Sequence, residues 1–461
     1  MYGDDITKSR MYDNYYFIGI GGIGMSALAR YFKYTGKNVS GYDRTPSRLT
    51  EQLESEGIMV HYEDRPDLVP INVEKTFVIY TPAVPDDFEE LKFVRSHGYS
   101  MCKRSRALGE IAAGKDCLAI SGTHGKTTTS TLLAHIFNSA TDDGCTAFLG
   151  GISKNYHTNL LMSSSDVLVA EADEFDRSFH QLHPMIAVVT AVDADHLDIY
   201  GTHEAVKESF RIFASQVAAD GYVVAKVGAE LPTEGIKAKL LHYSYDKPCD
   251  FYASEIKPLQ GGFFSFTLNH PGGRIIGCTV GVPGWVNVEN AVAAASVALL
   301  YGIEPERIKQ AIATFSGVER RFDIHVNTPK TAYIDDYAHH PNEIASAISS
   351  IREIFAGRHL CGIFQPHLYT RTRDFADGFA EALSGLDSLI MLPIYPAREL
   401  PIEGVNSEMI LDKVNLKDKV LVPKDRLMET IKSRKIDCLV SFGAGDIDRF
   451  VPQIEEYLKN V

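Results

Sequence analysis

Short runs of β-branched and aromatic residues recur along the chain, each followed by a stretch whose apolar positions share one helical face. Between residues 15 and 120 the runs YYFIGI, NVSGYD and TFVIYT alternate with helices predicted after Gly24, from about Ser47 and from about Asp87 to Val94. That alternation is the βαβ pattern of a parallel sheet. A second series starts with CLAIS at Cys117, enters a helix at Lys126, and continues through DVLVAEAD, MIAVVTAVDAD, a helix after Thr202 and YVVAKV. From about Asp250 to Pro283 the pattern becomes alternating strands with glycine-rich turns, GGFFSFTLNHPGGRIIGCTV, which predicts an appended antiparallel hairpin. Helices follow at about 288–301 and 305–315. A third series runs from TAYIDDYA through a helix after Pro341, HLCGIFQP, a helix from about Arg371, SLIMLPIY, KVLVP and DCLVSFGAG into a last helix. The pattern predicts three α/β domains, with breaks near 115 and 318.

Composition narrows the class. At roughly 150 residues per domain, 461 residues fit three domains. Acidic residues outnumber basic ones by 60 to 46, and a net charge of -14 argues against binding nucleic acid by bulk attraction. No apolar run reaches the roughly 18 residues a membrane span needs, and the first residues, MYGDDITKSRMYDN, are polar, so a cytoplasmic chain without membrane insertion is expected. The seven cysteines are scattered and form no C-x-x-C pair, so they are expected to be buried thiols, not disulfides or zinc ligands.

Two glycine loops carry the first chemistry. Gly19-Ile20-Gly21-Gly22-Ile23-Gly24 follows a predicted strand and opens a predicted helix, so Gly19, Gly21, Gly22 and Gly24 let the backbone close on a diphosphate at the helix N-terminus. Asp43, at the end of the next strand, is placed to meet a ribose hydroxyl. Gly122-Thr123-His124-Gly125-Lys126-Thr127-Thr128 has P-loop architecture, although Ile120 replaces the first glycine of the strict pattern. Its N–H groups would cradle phosphates, Lys126 would supply a point charge and the Thr127 hydroxyl would reach Mg2+. The fold expectation is therefore a Rossmann-like N-terminal domain, a central P-loop ATPase domain with a parallel sheet and the appended antiparallel hairpin, and a Rossmann-like C-terminal domain. Two anion-cradling loops on separate domains favour group transfer between ATP and a nucleotide-bearing substrate over hydride transfer.

Acidic and histidine clusters follow at strand ends. Glu171, at the tip of DVLVA, stands where a carboxylate would hold the metal. His196, in DADHLD after the next strand, reads either as a second metal ligand or as a turn cap, since Mg2+ prefers oxygen. Arg320, Arg321, Asp335, Asp336, His339, His340, His367, Arg371, Arg373 and Arg398 gather near strand ends of the third domain, where open α/β sheets bind ligands. Together they read as an active-site wall facing the P-loop domain; Arg373 alone reads better as a surface charge.

In family order the motifs GIGGIGMS, SGTHGKTTT, EADE, DADHLDIY, RRFD, DDYAHHPNE, FQPHLYTRTR, YPARE and GAGDI span all three domains. On them the chain resembles the Mur ligase family, and within it the branch that adds the first amino acid of peptidoglycan. The resemblance implies a UDP-sugar domain at 1–115, an ATP domain at 116–317 and a closing domain at 318–461. It implies an ATP-driven joining of L-alanine to UDP-N-acetylmuramate through an acyl phosphate, with Mg2+ or Mn2+. Carried over by motif, Gly19 to Gly24 face the UDP diphosphate, and Gly122, Thr123, His124, Gly125, Lys126, Thr127 and Thr128 hold ATP. Thr127, Glu171 and His196 serve the metal, Asn287 and Asn290 the adenine side, Arg321 the γ-phosphate and Asp336 the ribose. His339 and Arg371 meet the acidic substrate, and Lys126, Glu171, His196, His339 and Arg371 form the catalytic set.

Three positions depart from the family pattern or separate its branches. Val286 stands where His is usual and Leu368 where Arg is usual, while Phe210 falls in register with the carbamylated Lys of ligases that add later residues. The competing expectations are a ligase that attaches a whole tripeptide, an NAD-dependent oxidoreductase fused to a nucleotide-binding module, and a P-loop switch that needs no amino acid.

Overall fold

The computed structural model describes residues 12–397 and 399–460. The polar stretch before Tyr12 and the candidate Arg398 lie outside the described residues. Three sheets follow one another along the chain. In the first, strands β1 (Asn14–Ile18), β2 (Asn38–Tyr42), β3 (Met59–His61), β4 (Thr76–Tyr80) and β5 (Ser100–Lys103) are all parallel, in the order β3-β2-β1-β4-β5. Helices α1 (Ile23–Tyr34), α2 (Arg48–Ser55), α3 (Glu89–Ser96) and α4 (Arg104–Ala112) connect them. The Ser47 side chain accepts from the Thr50 N–H and closes a capping box, a cap that contributes about 1 kcal/mol to helix α2. β1 and β4 diverge in chain order, so the loop after β1 opens at the topological switch point where such sheets bind ligands.

The second sheet holds β6 (Asp116–Ser121), β7 (Thr146–Ser153), β8 (Thr158–Leu161), β9 (Val167–Glu171), β10 (Ile186–Val189), β11 (Tyr222–Lys226), β12 (Lys239–Ser244), β13 (Phe251–Pro258), β14 (Phe264–His270) and β15 (Gly273–Thr279). Its order is β15-β14-β13-β12-β11-β10-β6-β9-β7-β8. β14 and β15 form the expected antiparallel hairpin. A second hairpin, β7 with β8, closes the other edge and was not legible in the pattern. Helices α5 (Lys126–Ala140), α6 (Leu197–Tyr200), α7 (His203–Ser215), α8 (Trp285–Tyr301) and α9 (Pro305–Thr314) accompany it. One apolar core runs from Phe17, Leu28 and Phe32 of the first sheet's layer to Phe148, Leu160, Phe179 and Phe210 of the second. Phe210 is fully buried and meets the Phe179 ring edge-on with centroids 5.2 Å apart.

The third sheet has β16 (Asp323–Asn327), β17 (Ala332–Asp336), β18 (Leu360–Phe364), β19 (Ser388–Met391), β20 (Asp418–Leu421) and β21 (Cys438–Phe442), in the order β16-β17-β21-β18-β19-β20. Helices α10 (Pro341–Ile354), α11 (Tyr369–Asp374), α12 (Ala376–Leu383), α13 (Glu408–Leu411), α14 (Leu427–Lys432) and α15 (Val451–Lys459) accompany it. β16 runs antiparallel to β17, and the last strand β21 inserts between β17 and β18. The C-terminal sheet is thus mixed at one edge, not wholly parallel.

The first two sheets pack as one compact unit, and Val318–Val461 with two short segments near 258–263 and 283–285 forms another. Among the described residues no helix is long and apolar enough to cross a membrane. Six cysteines are buried, Cys249 is half-buried, and none is in a disulfide.

Candidate active site

β6 runs into the loop at Gly122, and α5 begins at Lys126. Gly125 takes φ 79°, a left-handed turn that glycine adopts at no steric cost. At Gly122 a Cβ would lie 2.8 Å from the Thr190 and Ala191 nitrogens, so the loop can pass β10 only without a side chain. The Thr127 hydroxyl donates to Glu171 Oε1 at 3.0 Å, and Gly150 N–H donates to Glu171 Oε2 at 3.1 Å. The pairing of Thr127 with the carboxylate at the tip of β9 is the one expected of a metal site.

Lys126 points inward. Its ammonium donates to the Gly122 carbonyl at 2.6 Å and to Glu174 Oε1 at 2.9 Å. Burial works against that charge, but Glu174, Asp173 and Glu171 together hold the lysine pKa up at about 12. Glu174 is 1% exposed, its Oε2 has no hydrogen-bond partner among the described residues, and burial pushes its carboxyl up against the pull of Lys126. Tyr200 OH donates to the Glu174 carbonyl at 2.6 Å, fixing the segment.

His196 caps α6 at φ 52°, with Nε2 3.7 Å from Asp195 Oδ2 and 3.9 Å from Glu174 Oε1. The structure therefore groups His196 with Glu174 and Asp195, ligand atoms within 4.8 Å of one another, while Thr127 pairs with Glu171. The donors are mostly hard oxygens with one imidazole, a set that suits Mg2+ or Mn2+. His124 Nε2 lies 3.2 Å from Asp193 Oδ2, and the Thr123 hydroxyl donates to the same oxygen at 3.3 Å. The His124 ring holds the Asp193 carboxyl below the usual range. On α8, Asn290 Oδ1 accepts from Thr129 at 3.2 Å and would stand 3.0 Å from a Cβ on Gly125; its Nδ2 donates to Asn287 Oδ1 at 3.3 Å. Asn290 thus sits against the phosphate loop, with Asn287 bonded behind it. Thr128 is half-buried in the first turn of α5, and Val286 is half-buried one residue before Asn287.

In the first glycine loop, Gly19 has φ 88°, and the Gly19 and Ile20 N–H groups donate to the Tyr42 carbonyl at 2.8 and 2.9 Å. Gly21 N–H donates to Asp43 Oδ2 at 2.7 Å, and Thr45 N–H to Asp43 Oδ1 at 3.2 Å. Asp43, expected on a ribose, shapes the loop itself, and burial pushes its carboxyl up despite those N–H groups.

In the C-terminal unit the loops after β17 and β18 bring the histidines and arginines together. His339 Nδ1 donates to the Tyr337 carbonyl at 3.1 Å, its ring meets His367 at 6.1 Å between centroids, and His367 stacks on Tyr395 at 5.9 Å. Glu343 accepts from the N–H groups of His339 and His340. Burial drives the His339 pKa down to about 4, with Glu343 opposing and the Arg371 and Arg321 charges adding to the fall. Arg321 lies over the Tyr337 ring at 5.0 Å. Asp336 accepts from Phe322 N–H at 3.2 Å and Ala338 N–H at 2.9 Å; burial raises it to about 7 against Arg321.

Two arginines of the cluster are otherwise engaged. Arg320 is tied to buried Asp335 at 2.9 Å and to the Gly443 carbonyl at 2.6 Å, a structural post. Arg373 pairs with Asp374 at the surface, the bland role expected of it. Leu368 is buried at φ 70°, its N–H bonded to the Tyr395 carbonyl, so the position usually held by arginine is here part of the core. A cavity of about 320 Å3 between Lys330, Arg434, Lys435 and Tyr457 lies at the opposite ends of β17 and β21, away from this cluster.

Glu174 of EADE and Asp193 of DADHLD carry no separate role in the motif pattern. Their signal was position: each follows a strand that flanks β6 in the sheet, so its loop opens beside the phosphate loop.

Residues 14–116 match the Mur ligase family, catalytic domain, residues 120–298 the Mur ligase middle domain, and residues 320–445 the Mur ligase, glutamate ligase domain. The chain is 50% identical over 453 residues to the UDP-N-acetylmuramate–L-alanine ligase of Porphyromonas gingivalis, covering 97% of this chain and 99% of that protein. It is 51% identical over 450 residues to the ligase of that name from Parabacteroides distasonis, covering 96% of each. The crystal structure of UDP-N-acetylmuramate-alanine ligase from Thermotoga maritima superposes with TM-score 0.83 at 27% identity, covering 97% of this chain and all of that one. The murein peptide ligase of Psychrobacter arcticus shares the fold at TM-score 0.73 and 20% identity. With its three domain matches and its near-full-length relatives, the chain belongs to the Mur ligase family.

Proposed function

We propose that this chain joins L-alanine to the lactyl carboxylate of UDP-N-acetylmuramate at the expense of ATP, in the cytoplasmic synthesis of peptidoglycan precursors. The observation that carries the reading is the half-identity, over nearly its whole length, to ligases of that name. The phosphate loop with its Thr127–Glu171 pair supports the ATP half of the reaction.

The chemistry follows from the electrophile. A carboxylate oxygen attacks the γ-phosphorus and ADP departs; the resulting acyl phosphate has a good leaving group where the carboxylate had none. The neutral amine of L-alanine then attacks the acyl carbon, and the tetrahedral adduct expels inorganic phosphate while nitrogen loses a proton. Catalysis of this kind is mostly positioning and charge stabilisation.

In this reading residues 1–115 bind the UDP-sugar, with Gly19, Gly21, Gly22, Gly24 and Asp43 shaping the loop that receives its diphosphate. Residues 116–317 bind ATP through the Gly122–Thr128 loop, with Asn287 and Asn290 on the adenine side. Lys126 leaves Glu174 to meet the β- and γ-phosphates. Thr127, Glu171 and His196 are the residues that would hold Mg2+, which when bound polarises phosphoryl oxygens. Residues 318–461 contribute Arg321 to the γ-phosphate, Asp336 to the ribose, and His339 and Arg371 to the acidic substrate.

Mass spectrometry of a reaction containing all three substrates tests the reading. A product equal to UDP-N-acetylmuramate plus alanine less water supports it. Conversion only with a tripeptide amine would assign the chain to the recycling branch.

A further inference from the structure

Arg104 opens α4 immediately after β5, and nothing in the motif pattern marks it out from the basic run KRSR. Yet its guanidinium fills the space that the last residue of the first glycine loop leaves free. A Cβ on Gly24 would lie 2.8 Å from Arg104 Nη1, 3.1 Å from Cδ and 3.4 Å from Cζ. The cation thus lies directly against the Gly24 backbone. The same guanidinium reaches Asp173 of the EADE loop at 3.3 Å, and Arg104 lines one narrow crevice with Asp173 and Glu171. It is 20% exposed, and Asp173, its one ion-pair partner among the described residues, is 37% exposed, so the pair is open to a competing anion.

The loop's own N–H groups sharpen the point. Those of Gly19 and Ile20 are spent on the Tyr42 carbonyl, that of Gly21 on Asp43 and that of Gly22 on the Gly19 carbonyl. Ile23 and Gly24, which open α1, have no acceptor four residues back within the helix, and Arg104 stands beside the second of them. A substrate oxyanion at this loop meets backbone N–H and guanidinium together, and a planar guanidinium is suited to bridging two phosphate oxygens.

Resting on the proposed function, we propose that Arg104 is a substrate-binding residue that grips the diphosphate of the UDP-sugar. Its ion pair to Asp173 ties that grip to the loop carrying the metal-side carboxylate Glu171. Arg104 thus sets the distance between the UDP-sugar site and the phosphate loop.

Calorimetry with UDP, UDP-N-acetylglucosamine and UDP-N-acetylmuramate on the full chain and on Arg104→Ala, Arg104→Lys and Lys103→Ala tests this. Lys103 is the control: it makes a comparable ion pair to Asp176 at 3.4 Å but does not touch Gly24. Losing a charge-assisted contact should weaken all three ligands about ten-fold or more in Arg104→Ala, with partial recovery in Arg104→Lys and none of the loss in Lys103→Ala. The KM for ATP should be unchanged, and thermal melts verify that the variants fold. Equal affinities in wild type and Arg104→Ala would reduce the residue to an interdomain strut and overturn the proposal. Loss confined to UDP-N-acetylmuramate would also overturn it, because the grip would then be on the lactyl carboxylate. Failure of the wild type to bind any of the three would instead refute the proposed function.

Discussion

Lys126 and Glu174 make the most quantitative test of the phosphate loop. The ammonium sits 2.9 Å from a carboxylate that is 1% exposed, while the lysine is itself 15% exposed. At an effective dielectric near 20 the gross attraction at that distance is about 6 kcal/mol, largely offset by the desolvation of both groups. To reach a bound phosphate Lys126 has to give up this pair, so nucleotide competes with Glu174 for one cation. Glu174→Gln keeps an amide oxygen for the ammonium but removes the charge, replacing a charge-assisted bond with a weaker one; the difference is about 1–1.5 kcal/mol. ADP should therefore bind roughly ten-fold tighter to Glu174→Gln than to wild type. The double variant with Lys126→Ala should show none of that gain, since the competition is gone. Calorimetric titration of ADP into the four proteins, with melts to verify folding, reads the cycle directly. Weaker ADP binding to Glu174→Gln, or the same gain without Lys126, would refute the argument that Glu174 parks the lysine.

Other consequences are simpler to test. Lys126→Ala should abolish turnover and leave UDP-sugar affinity within about two-fold of wild type, since the two loops follow different sheets; calorimetry reads the second half. Phe210→Ala should cost about 3–5 kcal/mol in urea unfolding because a fully buried ring against Phe179 is lost, and a cost under 1 kcal/mol would deny its place in the core. His339 has its pKa lowered to about 4 in the fold against 6.5 unfolded, so the folded chain binds fewer protons between those values. Its contribution to stability should be constant above pH 6.5 and fall as pH drops towards 4, by about 1–3 kcal/mol relative to His339→Gln; a pH-independent difference between the two proteins would contradict this. Arg371→Ala should raise the KM for an acidic substrate or lower kcat with an unchanged melt, and unaltered kinetics would remove it from the site.

Much of this architecture is legible because its signals are local. Strands such as YYFI, TFVIY and LCGIF are short, apolar and bounded by turn residues, and both phosphate loops are contiguous in sequence. β3 is three residues, β5 reads SMCK, β7 is broken by Gly150-Gly151, and β16 begins on Asp323, so none stands out from its surroundings. The insertion of β21 between β17 and β18 depends on pairing across more than seventy residues and has no local signature. The site divides in the same way. Glycines, Lys126, Thr127 and Glu171 announce themselves through motif and strand position, whereas Arg104 against Gly24, Asn290 against Gly125 and Lys126 on Glu174 exist only once distant segments meet. Asp43 lies at the expected strand end, and its bond from the Gly21 N–H is a further contact that position alone does not reveal.

The central claim is an amide bond made to one amine. Phosphate release from ATP in the presence of UDP-N-acetylmuramate, compared with no amine, L-alanine, glycine, D-glutamate and the stem tripeptide, tests it most directly. The account predicts release that requires both the UDP-sugar and an amine and is fastest with L-alanine; release that is indifferent to the amine, or fastest with the tripeptide, would contradict it.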